Sequence, residues 1–125
     1  MLWSKNMVML DANMILRYLL DDNPEMAEKA EEYINTGEVF VTIEVVAEVV
    51  YVLKGVYTLE RDKISQNIRA FLEIVGCRDR EVLDLALETY AERNLDFVDC
   101  VLYAYHKNKG IDIATFDKKL LKLLS

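Results

Sequence analysis

Five acidic residues stand where the hydrophobic patterning of this chain breaks or turns polar. They are Asp11 in "DANMILRYLLDD", Glu48 in "TIEVVAEVVYVLK", Asp96 and Asp99 in "NLDFVDCVLYAYHK", and Asp117 in "IATFDKK". Carboxylates that converge repel one another and resist ionising unless cations sit among them. Oxygen donors without histidine or thiolate select hard divalent ions, here Mg2+ or Mn2+. A metal held that way can activate water and neutralise charge on a phosphodiester. Each acid also has a plain structural role available. Asp11 and Asp117 suit helix N-caps, and Asp96 with Asp99 three residues on resembles a capping box. Glu48 suits the edge of an apolar helix face, reaching out to water.

Position therefore has to separate chemistry from capping. Apolar spacing and turn residues predict a short buried strand over 7–10 and a helix over 13–20. Pro24 opens a second helix with Asn23 as its cap and Ala27, Ala30, Tyr33 and Ile34 facing inward, and Thr36-Gly37 closes it. A strand over 39–42 leads into a helix over 43–54, and a further helix runs over 60–75 with Ile64, Ile68, Phe71, Leu72 and Val75 at helical spacing. A very short strand at 76–78 precedes helices over 80–93 and 97–107; a strand over 111–114 and a helix over 118–124 follow. Strands alternating with helices predict a parallel sheet covered on both faces.

In such a sheet Asp11 follows the first strand, and Asp117 follows the 111–114 strand after Thr115 and Phe116. Parallel strands send both acids to the same end, where α/β proteins place ligands. On the 43–54 helix, Val45, Val46, Val49, Val50, Val52 and Leu53 form an apolar arc; Glu48 lies beside its edge, and Glu44 lies further round on the polar side. Asp96 and Asp99 share one side of their helix, opposite Val98, Val101, Leu102 and Tyr105.

Length and composition narrow the function classes. The 125 residues, 53% of them hydrophobic, predict a single domain over 1–125 with a substantial core. The net charge of −7 argues against a protein that grips nucleic acid by bulk phosphate neutralisation, although acids gathered around bound cations would offset much of it. One histidine, His106, excludes a zinc site built on several histidines, and its setting in "YAYHKNKG" suits a solvated helix face better than a Ser–His–Asp triad. Cys77 and Cys100 form no Cys-x-x-Cys pair. Ser4, Lys5, Asn6 and Asp11 interrupt any apolar leader, and no apolar run approaches the ~20 residues that span a bilayer. These features predict a soluble, cytoplasmic protein.

With those residues in place the chain resembles the PIN-domain ribonucleases, and most of all the VapC-type toxins of toxin–antitoxin pairs. The resemblance lies in "LDANMILRYLLDDNPEMAEKA", "VTIEVVAEVVYVL", "LDFVDCVLYAY" and "GIDIATFDKKLLK", which follow one another in the family's order and cover most of the chain. It implies a three-layer α/β/α sandwich around a short parallel sheet, commonly dimeric. It makes Asp11, Glu48, Asp99 and Asp117 the catalytic, metal-binding acids, with Asp96 as an accessory acid and Asn13 and Thr115 as supporting polar residues. It also implies an RNA substrate, Mg2+ or Mn2+ as cofactor, a cognate antitoxin and a homodimer. The chain departs from the family in "EIVGCRDREV", which is short for the strand usual there, and in ending at "KKLLKLLS" where an edge strand often follows.

The expected function is a metal-dependent endoribonuclease, the toxin of such a pair. Glu48 would complete the ligand set or orient the attacking water, and Arg17, Lys118 and Lys119 are candidate contacts to the RNA backbone. Two readings from other classes compete with it. One is a non-catalytic PIN-like protein-interaction module whose acids serve as caps; the other is a Mg2+-dependent phosphohydrolase of small phosphate esters.

Overall fold

A computed structural model describes residues 7–125. The reading of Ser4, Lys5 and Asn6 as breaks in an apolar leader thus falls outside the described residues. Three strands, β1 (Val8–Met9), β2 (Val39–Val41) and β3 (Gly76–Cys77), form a parallel sheet in the order β1-β2-β3. Val8 is in register with Val39, and Phe40 with Gly76. The helices are α1 (Ala12–Leu20), α2 (Pro24–Asn35), α3 (Ile43–Gly55), α4 (Arg61–Phe71), α5 (Arg80–Glu92), α6 (Phe97–Lys109) and α7 (Lys118–Leu124). The α/β class with a small parallel sheet is the one the sequence predicts.

Local chemistry starts and stops these helices. The Asp11 side chain accepts the Met14 N–H, Asn23 accepts that of Met26 ahead of Pro24, and Thr42 accepts that of Val45. Each satisfies a backbone donor that the first helical turn leaves unpaired. Gly110 ends α6 in the left-handed conformation (φ 68°), which costs glycine no Cβ clash. One hydrophobic cluster joins the elements: Leu10 and Ile15, Val41, Val46 and Val49 of the first half meet Ile64, Leu83, Leu87, Cys100 and Ala104 of the second.

The tertiary structure corrects several expectations. Residues 111–114 form no strand; the His106 ring pairs through Nδ1 with the Ile111 carbonyl (2.8 Å), and no ladder bond to β1 is made. A short run such as Ile111-Asp112-Ile113-Ala114 becomes a strand only where a neighbour's backbone meets it in register. β1 is exposed rather than buried: Val8 is 36% and Met9 55% accessible, and Leu10 just after it reaches the core. On α2 the alanines and Ile34 are buried as expected, but Tyr33 is exposed. On α6 the inward face is Phe97, Cys100, Val101 and Ala104, a small rotation from the expected one that leaves Val98 in solvent. Among the described residues no helix is long and apolar enough to cross a membrane.

Candidate functional site

Three of the acids meet where α6 begins and α7 begins. Asp96 is the residue before α6, Asp99 lies in its first turn, and Asp117 precedes α7. Together with Asn94, Leu95, Lys118 and Lys119 they line an open hollow of about 240 Å3. Asp99 is half-buried, and that burial, followed by the charges of Asp117 and Asp96, holds its carboxyl above the ordinary carboxylate range. This is the electrostatic state expected of acids gathered for a positive ligand.

The capping explanations separate at this level. Asp117 does cap α7: its Oδ1 accepts the Leu120 N–H at 2.8 Å, which occupies one of its two oxygens. Thr115 Oγ1 accepts the Asp117 N–H at 3.0 Å and so fixes the turn that presents the carboxylate. Asp96 makes no side-chain cap bond, so the capping box suggested by its spacing from Asp99 is not formed. Its carboxylate is left to act on Asp99.

Asp11 and Glu48 stand differently. Asp11 is exposed and bonded through Oδ1 to the Met14 N–H (2.8 Å). Asn13 is exposed beside it. Glu48 is exposed on α3, as Glu44 is, rather than held at the edge of the core. Among the described residues no three carboxylate, imidazole or thiol groups form a ready metal cage. The structure thus brings Asp96, Asp99 and Asp117 together, with Thr115 in support, and leaves Asp11, Asn13 and Glu48 outside that hollow.

The cations sort just as clearly. Arg17 is engaged by the Tyr57 hydroxyl (3.3 Å) and by Asp22 (2.9 Å), which raise its pKa. Arg61 is a residue that sequence reasoning missed. Its guanidinium donates to the Leu95 carbonyl (2.9 Å through Nη1) and to that of Tyr90 (3.3 Å), and it lies 3.8 Å over the Tyr90 ring. It pins the segment that delivers Asp96 and Asp99, and no local pattern could have shown it, because the partner lies 34 residues away.

A family model for the PIN domain matches residues 8–123 of the chain. The chain belongs to the PIN-domain family. Within the family, this PIN domain is 29% identical to a VapC ribonuclease of Aquifex aeolicus (strain VF5) over 125 residues, covering 94% of this chain and 92% of that protein. No solved structure matches it significantly.

In this PIN domain the carboxylates of the hollow are oxygen donors of the kind a hard divalent ion takes, and they lie beside Lys118 and Lys119. Mg2+ commonly keeps several waters and takes only one or two carboxylates from the protein. Asp99 and Asp117 meet that requirement without a complete cage.

Proposed function

We propose that the chain is a metal-dependent endoribonuclease and the toxin of a toxin–antitoxin pair. The observation that carries this reading is the half-buried Asp99 carboxyl, which shares one hollow with the like charges of Asp117 and Asp96. Family membership and the VapC relative support it. Asp99 and Asp117 would hold Mg2+ or Mn2+, with Asp11 and Glu48 as the further acids of the set. When bound, the ion would supply Lewis-acid stabilisation of the phosphate and lower the pKa of a water.

The chain's own residues do the rest. Thr115 and the Leu120 N–H orient the Asp117 carboxylate, while Arg61 holds the backbone that presents Asp96 and Asp99. Asp96 keeps the local potential negative, which favours a cation in the hollow over a bare Asp99 carboxylate. The reading includes a single catalytic domain over 1–125, a cytoplasmic setting, a homodimer and a cognate antitoxin as partner.

The test is cleavage of a structured RNA panel with Mn2+ and with EDTA, beside a generic phosphatase substrate. Internal cleavage with Mn2+ alone is the expected result. Turnover of the phosphatase substrate without RNA cleavage would select a phosphohydrolase, and inactivity on both would leave a protein-interaction module.

A further inference from the structure

The acid hollow has two neighbours, and they are unlike. On one side, across Asn94, Leu95 and Lys119, lies an open hollow of about 550 Å3 lined by Arg93, Asn94, Leu95, Lys119, Lys122, Leu123 and Ser125. The second neighbour, which shares Asn94 and Asp96 with the acid hollow, is a mainly apolar groove in which Lys54 and Arg61 are the cations, and Arg61 is engaged with Leu95 and Tyr90. Three cations thus collect on one flank of the acids in a chain that has 22 acidic residues against 15 basic ones.

None of these three is held in a side-chain ion pair among the described residues, unlike Arg17, Arg80 and Lys109. Lys119 belongs to both hollows, and its Nζ lies 3.4 Å from the Asn94 carbonyl at their shared rim. Exposed, unpaired cations around an open depression suit a polyanion backbone, and one continuous with the acid hollow suits a strand whose next phosphates lie beside the one being cleaved.

We infer that Arg93, Lys119 and Lys122, at the junction of α5 with α7, form a backbone-binding subsite for single-stranded RNA on one flank of the acid hollow. The inference rests on the ribonuclease reading for the identity of the polyanion. It adds the side on which the strand continues: past Asn94 toward α7, not over the apolar groove toward α3. Contacts of this kind position the strand and carry little sequence preference.

Binding is measured apart from cleavage, by anisotropy of a labelled single-stranded oligoribonucleotide in EDTA over a salt series. The test variant is Arg93→Gln/Lys119→Gln/Lys122→Gln. The control is Lys29→Gln/Lys63→Gln/Arg69→Gln on α2 and α4, which removes the same charge from exposed positions elsewhere. The expected result is a loss of about tenfold or more in affinity for the test variant, with its log–log salt slope reduced by about 2. The control should stay close to wild type, and both variants should keep the wild-type circular dichroism. Equal losses in both triples would show a bulk charge effect and overturn the subsite, as would unchanged binding in the test variant. RNA cleavage by a wild-type protein whose binding ignores the three residues would remove the subsite and keep the nuclease. Binding through them without metal-dependent cleavage would do the reverse, and wild type that neither binds nor cleaves RNA would remove both.

Discussion

The α6–α7 acids and the β1–α3 acids are the same kind of residue in two different situations. Asp99 is half-buried beside two like charges and has a raised pKa. Asp11 and Glu48 are exposed, as Asp96 and Asp117 are, but they do not line the hollow with Asp99. The difference shows that an acidic residue becomes a metal-site candidate through its neighbours rather than its type. A carboxylate alone in water is satisfied, whereas one drawn against others out of water is left with a free-energy cost that a cation can remove.

Cleavage by charge-removing variants tests the contrast most severely. Asp99→Asn and Asp117→Asn should each lose about 10³-fold in rate, and Asp11→Asn and Glu48→Gln about 10²-fold, the range seen when one electrostatic contributor to a transition state is removed. Glu44→Gln, one helical turn from Glu48, should cleave at near the wild-type rate. Asparagine keeps the capping ability of Asp11 and Asp117, so the fold should survive in each case. Full activity in Asp11→Asn and Glu48→Gln would confine the site to the α6–α7 hollow. Full activity in Asp99→Asn, in a preparation free of contaminating nuclease, would falsify the assignment.

Arg61 sharpens the comparison from the structural side, since only the α6–α7 acids depend on it. Arg61→Ala strips the Leu95 carbonyl of its charged donor and should cost about 1–3 kcal/mol in urea unfolding. Cleavage should fall as well if the 90–96 segment must be held for Asp96 and Asp99 to meet Asp117. An unchanged unfolding midpoint would show that the segment is held by its other contacts.

The smallest expected effect is in the pH dependence of the metal-free protein. Because the Asp99 pKa is raised on folding, the folded chain holds this proton more tightly than the unfolded chain does. Ionised Asp99 therefore costs stability above its folded pKa, and the cost is relieved as pH falls through that value toward the unfolded one. In EDTA, wild type should gain stability relative to Asp99→Asn on acidification through that window. Parallel curves for the two proteins would mean that burial and the neighbouring charges do not shift Asp99.

Much of the fold was legible before the structure. The Asn23–Pro24 start of α2, the turn at Thr36-Gly37, the stop at Gly110 and the 118–124 extent of α7 all appear where residue types place them. Even the two-residue β3 falls within its expected 76–78 range. The resemblance to PIN domains was carried by short motifs in order along the chain, and the family match bears it out.

What the sequence determined by itself was the set of helices, because helical hydrogen bonds and caps join residues only three or four apart. Only the tertiary structure decided whether residues 111–114 found a strand partner, which α6 face turned inward, and which acids shared a hollow. It also decided that Arg17 was already engaged and that Arg61 held a carbonyl 34 residues away. Ladder pairing, burial and charge proximity depend on distances between segments far apart in the chain. Local spacing can propose such meetings, but the packing of the core determines which of them occur.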